Sequence, residues 1–331
     1  MKKIIAILLI TIVTLSVTQA QLDPVVAQIL KQANTHTLDV RKFTAPQLRQ
    51  MMDPGVRRMQ MTVEKLPRIE NKTISHQSFK IPVKIYWPSL KQNLPVVVFF
   101  HGGGWALGNL ETHDPFCRTI AKLSGAIVVS VGYRLAPEYP FPAGFNDAFA
   151  VVGWLSQQAK KIGANPKQMA LMGDSAGGNL AAAVALKAGQ QKIELKAQVL
   201  LYPATNLAQM TKNDSYQKFG KGYILTTDQV ELFRGWYVPQ VQDWQNPYAS
   251  PALNKRFNRL TATLVITAGF DPLYDDGRKY VQLLQQKNIK VTHKHFSGMI
   301  HGFVTMDMLK QAAQAKQIIA NYLKEQFGKA K

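Results

Sequence analysis

The pentapeptide Gly173-Asp174-Ser175-Ala176-Gly177 holds a serine between two glycines, and its flanks suggest what the serine could do. The apolar run Met169–Met172 leads in and the small-residue stretch Ala176–Lys187 leads out, predicting a strand, a sharp turn and a helix. On such a turn a hydroxyl stands beside the N–H groups and partial positive charge of a helix amino terminus. The pentapeptide alone also suits a phosphate-binding or merely tight turn, because chance supplies Gly-x-Ser-x-Gly in roughly one chain of ten this long.

Three consecutive glycines in His101-Gly102-Gly103-Gly104-Trp105 follow the apolar run Val96–Phe100. Their N–H groups carry no shielding side chain, so they could hold an oxygen that turns negative in a tetrahedral intermediate. A dinucleotide fingerprint is the competing reading, but it needs Gly-x-Gly-x-x-Gly spacing and a helix starting there. A flexible loop is the other alternative.

A serine hydroxyl needs a base to take its proton, and the base needs a third group to orient it. Asp271 follows the strand-like Leu264–Thr267, and His301 sits in Gly298-Met299-Ile300-His301-Gly302-Phe303 after Ile289–Phe296. Both fall at predicted strand ends, where open α/β sheets build their sites. Asp275 and Asp276 are rival acids further along, toward the next helix. His293 and His295 share a strand face, but nothing suggests a third metal ligand, so packing is expected of them. His101 is expected to position a loop.

The elements that would carry these residues are legible as short apolar runs. They lie at Phe79–Trp87, Val96–Phe100, Ala126–Val131, Met169–Met172, Ala197–Leu201, Leu264–Thr267 and Ile289–Phe296. Helical stretches at Phe145–Lys161, Ala176–Lys187, Gly277–Gln286 and about Met308–Phe327 separate several of them. That alternation predicts an α/β fold, a parallel sheet covered on both faces. Residues 21–75, methionine-rich and interrupted at Pro46, Pro54-Gly55 and Pro67, read as short helices outside the sheet. Residues 206–250 are rich in aromatics with little strand pattern, which suggests a lid or docking face.

The chain has 331 residues, 46% hydrophobic and 18% charged, which excludes collagen-like, low-complexity and wholly disordered classes. Its single cysteine, Cys117, rules out an internal disulfide and a multi-thiolate zinc site, and it is expected to pack as a small hydrophobe. Residues 1–20 join Met1-Lys2-Lys3 to an apolar stretch and end in Thr18-Gln19-Ala20, the pattern of a signal peptide cleaved after Ala20. An exported protein, periplasmic or secreted, is therefore expected. Forty basic against 20 acidic residues give a net charge of +20. The basic residues are scattered without a nucleic-acid-binding spacing, so no nucleic-acid partner is expected. Weak association with anionic membrane or envelope surfaces fits the charge better.

Taken together, His101–Trp105, Tyr133-Arg134-Leu135-Ala136-Pro137-Glu138, Gly173–Asn179, Asp271-Pro272-Leu273 and His301-Gly302-Phe303 resemble the hormone-sensitive-lipase-like α/β-hydrolases, the family IV bacterial esterases and lipases. The resemblance runs in order over about residues 79–327. It implies the α/β-hydrolase fold, with a catalytic domain over residues 76–331, helices in 21–75 forming a cap, and a cap insertion at about 206–250. Further, it implies Ser175 as nucleophile, His301 as general base and acid, Asp271 as orienting carboxylate, and an oxyanion hole from the N–H groups of Gly103, Gly104 and Ala176. No metal or cofactor is implied, and Asp174 would be a supporting turn residue. The resemblance implies hydrolysis of short- to medium-chain carboxylic esters through an acyl-enzyme. Amide or lactone hydrolysis by the same triad, and a non-catalytic small-molecule binder, are the alternatives. The signal peptide departs from many bacterial members of the family, which are cytoplasmic.

Overall fold

The computed structural model describes residues 21–35, 38–76, 79–257 and 259–328. Two helices open it, α1 (Pro24–Ala33) and α2 (Ala45–Arg58), followed by β1 (Arg68–His76), β2 (Phe79–Trp87) and β3 (Leu94–Phe100). Next come α3 (Asp114–Ser124), β4 (Ile127–Val131), α4 (Ala143–Gln158), β5 (Ala164–Asp174), α5 (Ala176–Gln190) and β6 (Ala197–Leu201). The chain continues through α6 (Asp214–Phe219), α7 (Thr227–Tyr237), β7 (Ala262–Phe270), α8 (Tyr274–Gln286), β8 (Val291–Ile300) and α9 (Lys310–Gly328).

One eight-stranded sheet runs in the order β1-β2-β4-β3-β5-β6-β7-β8. β2 is antiparallel to β1 and to β4, and every other neighbouring pair is parallel. Burial on both faces explains why β3, β4 and β6 read as dense apolar runs, broken only by Ser130 in β4 and Gln198 in β6, instead of alternating. In β3, Val96, Val98 and Phe100 join the core under α4, α5 and α8, while Val97 and Phe99 join the core under α3 and α9. Cys117 is fully buried in that second core, as a small hydrophobe would be.

The structure corrects two expectations and adds one element. Residues 21–75 are not all cap: 68–76 form β1, an edge strand of the main sheet. Pro46 and Pro54-Gly55 do not interrupt the helices, because Pro46 lies in the first turn of α2 and the helix continues through Pro54. A first-turn proline loses no intrahelical hydrogen bond, and its fixed φ suits a helix start. Residues 114–124, unmarked in the sequence reading, form α3.

The two segments expected to form a cap pack against each other. Leu48 of α2, Phe233 of α7 and Val40 make a small apolar core with Ala106 and Leu107. Arg41 reaches Asp228 across it at 2.6 Å. Arg49 fastens α2 to the sheet domain, donating to the carbonyls of Ala106 (2.7 Å) and Ala136 (2.9 Å) and pairing with Glu138. The expected signal peptide, residues 1–20, lies outside the described residues. Among those described, no helix is long and apolar enough to cross a membrane.

Candidate active site

Ser175 stands between the end of β5 and the first turn of α5, with φ 55° and ψ −119°. That positive φ is strained for a residue with a side chain, and its N–H donation to the Leu201 carbonyl at 2.8 Å helps hold it there. The turn closes only because its flanks are glycine. A Cβ on Gly177 would lie 2.0 Å from the Phe100 oxygen, and one on Gly173 would lie 2.1 Å from the Gly177 oxygen.

β7 and β8 deliver the other two members. His301 directly follows β8, and its Nε2 lies 2.9 Å from the Ser175 Oγ. Its Nδ1 lies 2.8 Å from Oδ2 of Asp271, which follows β7 and is fully buried. The other Asp271 oxygen accepts the Leu273 N–H at 2.8 Å, which fixes the carboxylate's orientation. A carboxylate only accepts, so Nδ1 carries the hydrogen and Nε2 offers its lone pair to the serine hydroxyl. The rival acids point elsewhere. Asp275 binds the Ser215 N–H and Arg278, and Asp276 binds Asn213, with burial pushing its carboxyl up to about 7.

The glycine loop follows β3, whose Phe100 is in register with Gly173 of β5. Gly103 and Gly104 have φ of 113° and 60°, and the Gly103 carbonyl takes the N–H groups of Ala106 and Leu107 as the loop turns back. Among the described residues no acceptor takes the N–H of Gly103 or Gly104. Both glycines and Ala176 line the cavity that holds Ser175 and His301. The loop is tied down from behind: Tyr133 donates its hydroxyl to the His101 carbonyl at 2.7 Å, and the Ala136 N–H donates to the Trp105 carbonyl at 2.9 Å. His101 is buried, stacks on Tyr133 at 4.4 Å between ring centres, and has Nδ1 2.8 Å from the Gly102 carbonyl. Burial pushes its imidazole down to about 4, so it remains neutral and acts as the expected loop anchor.

The cavity measures about 330 Å³. Met52 and Met59 of the N-terminal segment, Met210, Leu225 and Phe233 of the insertion, and Met306 give it apolar walls. Such a space suits an apolar organic group delivered to a polar reacting centre. His293 and His295 both hydrogen-bond the Thr267 hydroxyl, at 2.8 and 3.0 Å, and among the described residues no group of three or more His, Cys, Asp or Glu could hold a metal. Sequence reasoning passed over Arg49 and His113, neither of which carries a motif. Only the three-dimensional contacts of each reveal it.

A model of the α/β-hydrolase fold matches residues 97–305. The chain belongs to the hormone-sensitive-lipase-like α/β-hydrolases. It is 37% identical over 306 residues to a carboxylesterase of Mycobacterium tuberculosis, covering 90% of this chain and 93% of that one. It is 32% identical to an arylesterase of Saccharolobus solfataricus, covering 92% and 99% of the two chains. Among solved structures, the hyperthermophilic esterase of the archaeon Pyrobaculum calidifontis matches with a TM-score of 0.88 at 38% identity, covering 92% of this chain and 98% of that one. A thermostable esterase from Pseudomonas putida matches with a TM-score of 0.88 at 30% identity, covering 94% and 99%. As an α/β-hydrolase, the chain carries its serine, acid and histidine in the order usual for that fold, each at a strand end.

Proposed function

We propose that this α/β-hydrolase is a serine carboxylic-ester hydrolase acting on short- to medium-chain esters through an acyl-enzyme. The Ser175–His301–Asp271 relay, opening into an apolar cavity beside the uncommitted N–H groups of Gly103 and Gly104, carries the reading. The Ser175 Oγ adds to the ester carbonyl carbon as His301 Nε2 takes its proton. The carbonyl oxygen becomes an oxyanion facing the N–H groups of Gly103, Gly104 and Ala176. Collapse expels the alcohol oxygen, which leaves with the proton from His301, and Ser175 keeps the acyl group. Water then adds with His301 again as base, releasing the acid and restoring the serine. Asp271 holds the imidazole in the tautomer this sequence needs and stabilises its transient positive charge. The names of the relatives and the resemblance in the glycine loop support an ester as the substrate.

The pattern of residues 1–20 supports export to the periplasm or medium, and the net charge of +18 left once Lys2 and Lys3 are cleaved from the +20 chain supports weak attachment to anionic surfaces there. Hydrolysis of p-nitrophenyl esters from acetate to palmitate, beside Ser175→Ala, tests the reading. Activity should peak at short or medium chains and fall by up to about 10⁶-fold in the variant. A folded wild type no more active than Ser175→Ala on every ester would overturn it.

A further inference from the structure

Asp174, next to the nucleophile, is a buried carboxylate that never touches the relay of Ser175, His301 and Asp271. Its Oδ1 accepts the Gly102 N–H at 2.7 Å, so it clamps the strand-to-helix turn to the first glycine of the loop that presents Gly103 and Gly104. A buried carboxylate with one amide donor is poorly compensated. The other polar neighbour is His113, whose Nε2 lies 3.4 Å from the same Oδ1, a long contact. His113 is itself buried, and its Nδ1 lies 2.9 Å from the Thr112 hydroxyl.

We propose that His113 is a positioning residue for the oxyanion hole, acting through Asp174 and Gly102. The inference rests on the ester-hydrolase reading and adds to it a residue that reaches neither the nucleophile nor the general base. Three observations carry it. The contacts form an unbroken line, Thr112–His113–Asp174–Gly102, that ends one residue before the oxyanion donors. His113 and Asp174 also lie in the wall of the catalytic cavity. Finally, the imidazole is anchored independently of the loop it steadies. It sits at the amino end of α3, and Gln60 grips that end from both sides, donating to the Thr112 carbonyl and accepting the Phe116 N–H at 3.1 Å. Burial alone would push the Asp174 carboxyl up, but the His113 imidazole, together with the Gly102 N–H, holds it below the usual carboxylate range. The carboxylate thus stays an acceptor for Gly102.

Without His113, Asp174 loses this polar contact, its grip on Gly102 weakens, and the Gly103 and Gly104 N–H groups are no longer aimed at one point. The loss falls on the transition state, because only there does the carbonyl oxygen carry the charge those donors hold. His113→Leu removes the contact, whereas His113→Gln keeps one, since a glutamine Nε2 reaches about as far as a histidine Nε2. On p-nitrophenyl butyrate, His113→Leu should lower kcat by roughly 10- to 100-fold with KM within about twofold, less than the 10²–10³-fold typical of losing an oxyanion donor outright. Its affinity for a boronic acid analogue of the tetrahedral intermediate should fall by a similar factor. His113→Gln should recover most of both. A wild-type kcat in His113→Leu would overturn the inference alone. So would equal losses in the two variants with KM rising as much as kcat falls, the mark of a general packing role. An inactive wild type would overturn the ester reading together with it.

Discussion

Removing the Arg49 guanidinium tests whether the cap is held by directed hydrogen bonds or simply by apolar packing. The side chain donates to two carbonyls, of Ala106 and Ala136, and to both oxygens of Glu138. Charged hydrogen bonds contribute about 1.5–3 kcal/mol each, which sets roughly 3–6 kcal/mol for the two carbonyl bonds. The Arg49 side chain is 24% exposed, so water replaces part of what is lost, leaving a cost of about 2–4 kcal/mol for Arg49→Met. The Glu138 pair is another matter: with that carboxylate 41% exposed, Glu138→Gln should cost only about 0.2–1 kcal/mol. At about 2–4 °C per kcal/mol, Arg49→Met should melt on the order of 5–10 °C below wild type, with Glu138→Gln close to wild type. Met52 and Met59 belong to the anchored segment and line the cavity, so kcat/KM of Arg49→Met on apolar esters should fall by roughly tenfold. Circular-dichroism melts and ester kinetics on the three proteins read both effects. The reasoning fails if Arg49→Met matches Glu138→Gln in both.

Gly104→Ala places a Cβ 2.4 Å from the Phe233 ring at a φ of 60°, so the loop must shift; kcat on p-nitrophenyl butyrate should fall by about 10²–10³-fold, and an unchanged kcat would count against this glycine as a donor. Gly177→Ala meets the Phe100 backbone oxygen at 2.0 Å and cannot relax as a side chain would; little soluble protein should be recovered, as gel filtration would show. His101 titrates at about 4 when folded against 6.5 when unfolded, so the unfolded chain binds more protons between those values. Its contribution is therefore complete above pH 6.5 and lost as pH falls through 4, about 3 kcal/mol in all; urea unfolding at pH 7 and pH 4 should show that loss reduced in His101→Gln.

The central strands of the sheet were legible because their surroundings leave them no choice. β3, β4 and β6 are buried on both faces, and such strands show up as dense apolar runs. β1 left no such trace. Its sequence, Arg68-Ile69-Glu70-Asn71-Lys72-Thr73-Ile74-Ser75-His76, is exposed on most positions of an edge strand, and only Ile74 is buried. Tertiary pairing with β2, and not local pattern, makes it a strand. Ser175, Asp271 and His301 were found because each sits at a boundary between elements that the sequence marks. His113 sits at such a boundary too, but its partner Asp174 is brought beside it only by the parallel stacking of β3 and β5. Nothing near either residue in the chain announces the pair. Arg49 is obscured for the same reason, since carbonyl acceptors can belong to any residue type.

The division of the cap between distant segments also sets an order in time. Arg41 waits for Asp228, 187 residues later, and the Thr62 N–H waits for the Asp307 carboxylate, 245 residues later. At about 5–20 residues per second of synthesis, the second wait is roughly 12–50 s. His301 and Met306, which supply the base and one wall of the cavity, emerge in the same late interval as Asp307. The N-terminal helices thus leave the ribosome long before the surfaces they cover exist. A growing chain gains its sheet strand by strand, but the last walls of its reaction chamber arrive together, late.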